Sequence, residues 1–268
     1  MNSKIIHKLI FGFMAVTLAV GLIAYLALTS SQQMLKEQIG DSSKALAIRT
    51  MAEIDVKIHD HIETMRTISL MPFLSESIAQ SNHAFEQRSD AEVYIDKKDS
   101  QWTTREDDSI QAFKDELVDA PASDHLREIM KYFKSDYGYP VFVELFATNK
   151  FGANVAQSGL TSDYKQSDES WWQEAKTNGL YISDVSYDKS TESYSISIGT
   201  RIMNTDHGFL GIIKVVLNIE DAIRQVERTE SLAKFNSMSV SLIDQGGHII
   251  YAPGSRILED RYPPHKMA

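Results

Sequence analysis

Residues 141–159 read VFVELFATNKFGANVAQSG and residues 238–254 read MSVSLIDQGGHIIYAPG. Shifting the first stretch by 95 positions lays Val143, Leu145, Ala147, Asn149, Gly152 and Val155 over Met238, Val240, Leu242, Asp244, Gly247 and Ile250. In each, apolar residues alternate as on a strand with one buried face. Each then enters a polar turn with a glycine three residues after Asn or Asp, and a second strand comes next. The pattern predicts two strand-turn-strand modules in tandem.

Outward from the first copy, Ser167 to Lys176 reads as a short helix carrying Trp171 and Trp172. Tyr181 to Tyr187, Tyr194 to Met203 and Phe209 to Leu217 add three strands, the middle one with Tyr194, Ile196 and Ile198 on one face. The result is an α+β fold: a five-stranded antiparallel sheet with helices gathered on one side. Upstream, Pro121, Ser123 and Asp124 open a helix that Gly138 and Pro140 close. Downstream, Ile219 to Phe235 carries Ile223, Val226 and Leu232 among charges, as an amphipathic connector does. The second copy begins at Asn236 and supplies two strands, so its core is expected to be incomplete.

Leu9 to Leu28 is a run of 20 uncharged, mostly apolar residues. At about 1.5 Å per residue it spans a hydrocarbon core of about 30 Å. Lys4 and Lys8 precede it and the next charge is Lys36. That asymmetry places residues 1–8 in the cytoplasm and the chain beyond the 9–29 helix outside the cell membrane, in the periplasm or extracellular space. The rival reading is a cleaved signal peptide ending near Ala27-Leu28-Thr29, whose apolar region is ordinarily about 7–15 residues. No second span occurs downstream, so the chain is not expected to signal inward by itself.

Residues 30–80 form the next segment, a long helix. Ala47, Met51, Ile54, Ile58, His61, Met65 and Ile68 recur at alternating spacings of four and three, a heptad seam that serves either packing on the chain's own domain or a homodimer. Pro72 ends or bends it. Glu86 to Asp108 is polar and reads as a loop with little buried surface. The remaining boundaries fall at 81–235 for the first module and 236–268 for the second.

At 268 residues and 43% hydrophobic composition, two modules is the ceiling. The net charge of −10, without a Lys/Arg-rich block, excludes nucleic acid as partner. Cysteine is absent, which suits an oxidising compartment without requiring it. No cofactor or metal site is read: His59 and Glu63 share a helix face but two ligands do not close a zinc site. Asp168 and Glu169 diverge on a helix and have no nucleophile at a working spacing, so no enzyme is expected.

The order of these elements resembles the double Cache sensor, the tandem PAS-like periplasmic domain of bacterial histidine kinases, chemoreceptors and diguanylate cyclases. The resemblance rests on Val143 to Val155, Thr161 to Tyr164 leading to Trp171-Trp172, Tyr181 to Tyr187, Ser195 to Ile202, and Gly208 to Gly211 running into Asn218-Ile219. It implies a ligand pocket in the membrane-distal module, between the sheet and the loop-helix from Thr161 to Ala175, and a long helix that passes displacement toward the membrane. Of the family's amino-acid-binding pattern, Tyr164, Trp171, Trp172 and Tyr187 match by spacing. Glu169 stands where the pattern has Arg, and Asn218 where it has Asp. Glu in that place repels an α-carboxylate that Arg would hold with two charge-assisted bonds. Tyr164, Glu169, Trp171, Trp172, Asp184, Tyr187 and Tyr194 are therefore read as an aromatic, acidic cage for an amine or other cation. The simpler reading of each is core packing or turn capping. The functional expectation is an extracytoplasmic ligand-sensing region of a transmembrane receptor; the alternative is a stand-alone tethered binding or dimerisation protein.

Overall fold

The computed structural model describes residues 3–104, 108–188, 193–231 and 238–263. The end of the expected connector at Leu232–Phe235 and the start of the second copy at Asn236 lie outside these residues, as do Met1, Asn2 and positions 105–107. The chain divides into two compact units, 1–52 and 53–268.

Helix α1 runs Ser3–Ser69. It is the one helix among the described residues long and apolar enough to cross a membrane, and the side chains of Leu9, Phe13, Leu18, Ile23 and Leu28 are all exposed. From residue 53 onward the heptad seam is used internally: Ile54, His61, Met65 and Ile68 are buried. Met71 is extended and Pro72 occupies the first turn of α2 (Pro72–Glu86), where its missing N–H has no helical partner to lose.

The polar stretch after α2 is a correction to the sequence reading. It folds as α3 (Ala91–Thr104) and leads to α4 (Asp108–Val118). Helix α3 buries Ile95 and Trp102, seven residues apart and so two turns along one face. Helix α5 spans Pro121–Tyr137 and stops at Gly138, whose φ of 78° is open to glycine and whose N–H bonds to the Lys134 carbonyl.

The sheet comprises β1 (Phe142–Asn149), β2 (Asn154–Gln157), β3 (Leu180–Ile182), β4 (Ser186–Asp188), β5 (Ser193–Met203) and β6 (Phe209–Asn218), with α6 (Ser170–Asn178) between β2 and β3. Strand order is β2-β1-β6-β5-β3, and β4 pairs with β5 farther along. The expected edge strand is thus in two pieces, parted by the loop 183–185. One sheet face carries Leu145, Ala147, Ile196, Ile198, Ile213 and Val215 against Ile62, Met65, Ile68, Leu74, Ile78 and Leu126. Each fully buried Leu or Ile contributes about 1.5–3 kcal/mol. The opposite face carries Phe146 and Ile212 under Trp171, Trp172 and Ala175 of α6.

Helix α7 (Glu220–Ser231) leads to a two-stranded hairpin, β7 (Leu242–Ile243) and β8 (Ile249–Tyr251). The two hairpins match bond for bond. Gly152 N–H bonds to the Asn149 carbonyl and Asn149 N–H to the Ala153 carbonyl; Gly247 and Asp244, and Asp244 and His248, do the same. Asn149 Oδ1 accepts from Ala153 N–H, and Asp244 Oδ1 from His248 N–H. The register shift falls at Ala147/Thr148 in one and Leu242/Ile243 in the other. A strap beyond each hairpin returns to its turn: Gln166 N–H reaches the Gly152 carbonyl, and one residue later in the repeat Tyr262 N–H reaches that of Gly247.

His61, 3% exposed, faces Asp221 at the start of α7, Nε2 to Oδ2 3.1 Å. Burial alone raises the Asp221 pKa, but the bonds from His61 and Tyr139, with the charges of His61 and Lys57, together hold the carboxyl below its ordinary value. A depressed folded-state pKa contributes stability present above the unfolded value and lost as pH falls through the folded one, here below about pH 4. Unfolding midpoints measured across that acid limb are expected to fall less steeply in Asp221→Asn than in the parent; an unchanged slope refutes the assignment.

Candidate ligand-binding site

The loop-helix 161–175 is held by the helix that the sequence reading lacked. Asp99 Oδ1 accepts from both Tyr164 N–H and Lys165 N–H at 2.9 Å. Trp102 Nε1–H donates to the Thr161 carbonyl at 2.9 Å, and Lys165 pairs with Asp96 at 2.7 Å. The bond to Asp96 raises the Lys165 pKa against the opposing effect of burial, so the ammonium is fixed as a charge. On the far side, Gly152 admits Ser167, and Asn154 N–H bonds to the Tyr164 carbonyl.

The eight residues selected from sequence fall at several places, with Trp171 beside Trp172 and Tyr187 beside Tyr194. Tyr164, 3% exposed, stacks on Trp102 at 5.8 Å between ring centroids and meets Phe113 edge-on at 5.2 Å. Trp171 and Trp172 are buried against the sheet. Trp171 meets Phe146 edge-on, and Trp172 Nε1–H donates to Thr148 Oγ1 at 2.9 Å. Glu169 is exposed at the N-cap of α6 and makes no side-chain capping bond. Asp184 is exposed in the loop between β3 and β4. Tyr187 and Tyr194 are cross-strand partners, 5.1 Å apart, and the Tyr194 hydroxyl donates to the Ile257 carbonyl at 3.2 Å. Tyr194 shares the sheet face of Ile196 and Ile198, opposite the one that carries the tryptophans. Asn218 Oδ1 accepts from Glu220 N–H and so caps α7.

The acidic aromatic cage is therefore not assembled, and the ring faces already carry this chain's own cations. Lys214 Nζ stands 4.7 Å from the Trp171 centroid and Lys176 Nζ 5.0 Å from that of Trp172. A bound amine would meet both charges.

What the geometry does bring together is a cleft of about 490 Å³ between α6, the start of α3 and the β1–β2 turn. Arg88, Lys150, Lys165 and Lys176 line it, against Glu92 and Asp168, with Trp172 and Gln173 on the α6 side. Arg88 is paired with Asp90 and Lys165 with Asp96, so much of this positive charge is already balanced. Lys150 also pairs with Glu86, whose carboxyl it holds below the ordinary value. These cations were missed because they come from four different places, just past the end of α2, in the β1–β2 turn, on the strap and on α6. The one local signal was the absence of Gly and Pro from 86–108, which favours helix over loop.

No protein-family model matches the sequence, and no curated protein matches it. Among solved structures, the chain is similar to the sensory domain of the Campylobacter jejuni chemoreceptor Tlp3 (18% identity, 69% of this chain and 76% of that one, TM-score 0.37). It is also similar to the ligand-binding domain of the Pseudomonas aeruginosa PAO1 amino acid chemoreceptor PctC in complex with GABA (15%, 68% and 74%, 0.36). A third is the ligand-binding domain of the Pseudomonas fluorescens chemoreceptor CtaA in complex with L-serine (14%, 65% and 77%, 0.36). The overlap with each is partial.

Proposed function

We propose that this chain is the extracytoplasmic sensory region of a membrane-anchored receptor and that it takes a small anionic or zwitterionic molecule in the cleft beside α6. The observation that carries the reading is α1: one helix holds the exposed apolar span at its N-terminal end and, at its C-terminal end, the buried Ile62, Met65 and Ile68 beneath the sheet. Lys4 and Lys8 ahead of the span favour a cytoplasmic N-terminus. The module 81–235 holds the ligand and 236–268 opens the second. Ala47 and Met51, the first residues of the heptad seam, stay exposed, which supports pairing of two copies along that part of the helix.

Ligand chemistry is set by the lining. Arg88, Lys150 and Lys165 are paired with Asp90, Glu86 and Asp96, so the reading of a carboxylate-bearing molecule rests on Lys176, while Glu92 and Asp168 leave room for one that also carries an ammonium. Of the eight residues chosen from sequence, Trp172 lines this cleft; the proposal gives it the ligand-facing role and gives the other seven no ligand contact. The full chain in detergent, screened by thermal shift, is expected to be stabilised by small carboxylates or amino acids. The gain is expected to vanish in Lys176→Glu, an exposed position where charge reversal leaves the core untouched. Stabilisation by amines alone overturns the proposal.

A further inference from the structure

The second strap closes on its hairpin through one imidazole ring. His248 Nδ1 lies 2.8 Å from Asp244 Oδ2, and Nε2 lies 2.8 Å from Arg261 Nη2. A guanidinium donates and never accepts, so Nε2 is the bare, accepting nitrogen and the ring proton sits on Nδ1, donated to Asp244. The strap is therefore fastened to a neutral imidazole. Asp244 from the hairpin and Arg261 from the strap are the charged groups in contact with that ring. The strap's other charges, Arg256, Glu259 and Asp260, pair with one another, and Glu227 and Glu230 of α7 act on Tyr251. Arg261 has no carboxylate partner among the described residues.

A proton taken up at Nε2 acts differently on the two sides of the ring. The bond to Asp244 survives and becomes an ion pair, whereas the bond to Arg261 is lost, because two donors and two positive charges then meet at one point. Ordinary histidines titrate between about pH 5 and 8 and ordinary carboxylates near pH 4, so across that interval the change falls on the strap alone. The strap in turn ties the second hairpin to the first sheet. Leu258 packs on the main core, and the Ile257 carbonyl accepts from the Tyr194 hydroxyl of β5. Leu258 N–H bonds to the Ile249 carbonyl at 2.7 Å with its φ at 60°, a left-handed conformation unfavourable to a residue with a bulky side chain. Once the His248–Arg261 bond is gone, that strain favours opening.

We propose that residues 256–262 form an acid-released clasp, closed on the hairpin and on Tyr194 while His248 is neutral and let go when His248 takes up a proton on mild acidification. Proton uptake and closure oppose each other, so closure is favoured above the titration of the ring and lost as pH falls through it. The cleft beside α6 shares no residue with this clasp.

The test is hydrogen exchange of the full chain in detergent at about pH 7.5 and about pH 5.5, read by mass spectrometry as protection relative to intrinsic rates. Protection of 256–262 is expected to fall about tenfold at the lower pH, the size of one hydrogen bond to a charged group. The turn at 149–153, which contains no histidine, is expected to keep its protection. His248→Gln, neutral at both pH values, is expected to remove the difference. Arg261→Glu is expected to reverse it, since a carboxylate there pairs with the protonated ring and makes the strap firmer in acid. Circular dichroism checks the fold of each variant, and the pH dependence of the parent requires neither of them. Equal strap protection in the parent at the two pH values, a fall shared equally by 149–153, a fall that persists in His248→Gln, or a change of unaltered sign in Arg261→Glu would each overturn the proposal. Failure of the cleft beside α6 to take carboxylates leaves these outcomes unaffected.

Discussion

Trp172→Ala is expected to destabilise the protein by about 3–5 kcal/mol, the range for truncating a buried tryptophan. The side chain is 1% exposed, packs against Phe209 with ring centroids 5.9 Å apart, and gives its indole N–H to Thr148 Oγ1. Removing it opens a void on the α6 face of the sheet and leaves the buried Thr148 hydroxyl with its long bond to the Ile212 carbonyl, 3.4 Å, and no donor to accept from. Trp172→Phe keeps much of the volume and loses only the bond, so the cost is expected to be smaller by several-fold. Denaturant unfolding of the full chain in detergent measures both. A loss below about 1 kcal/mol for the alanine variant, the ordinary range of a surface change, would mean that α6 is not a structural cover.

Gly152→Ala comes next in size. At φ of 85° any side chain is strained, and here its Cβ would stand 2.3 Å from Ser167 Cβ and 2.6 Å from Ser167 N, a backbone atom that cannot rotate away. Left-handed strain of about 1–2 kcal/mol and overpacking of about 1–3 kcal/mol add to a loss of about 2–5 kcal/mol. Gly138→Ala separates the two effects. Its φ of 78° is similar but no atom lies within 4 Å of the added carbon, so only the strain is expected. Equal losses in the two variants would show that the strap carrying Ser167 yields freely.

The sheet was legible because its strands alternate and its turns carry Asn, Asp and Gly, signals that act within a few residues. Helix α5 was legible for the same reason, with Pro121 at its start and Gly138 at its end. Helix α3 was not, because its apolar face consists of Ile95 and Trp102 in a run of acids, lysines and glutamine; a helix stabilised by tertiary bonds at Asp99 and Trp102 leaves little trace in composition. The candidate site was hidden for a related reason. Spacing along the chain selected Tyr187 and Asn218, but spacing does not say what a residue meets once the partner strand is in place: Tyr187 pairs with Tyr194, added to the cage as a nearby aromatic though it shares the core face of Ile196 and Ile198, and Asn218 caps α7. The cleft beside α6 needs Arg88, Lys150, Lys165 and Lys176 in one place, an assembly that exists only after α3 closes on the strap.

The two hairpins, with their straps, also say how little written instruction this piece of architecture requires. Between the copies the bonds persist while the letters change: Asn149 becomes Asp244, Ala153 becomes His248, and Lys165 gives way to Arg261 in the bridge that ties strap to hairpin. What is held constant is an amide or carboxylate oxygen facing back on its own turn and a glycine three positions later. The strand positions around it need only stay apolar in alternation, as Leu145 and Val240 or Val155 and Ile250 do. One copy has used that freedom to set Asn154 and Tyr164 on the wall of an aromatic chamber. The other has set His248 between Asp244 and Arg261, at 2.8 Å from each. A backbone grammar this undemanding lets a chain reuse one shape and still say different things with it.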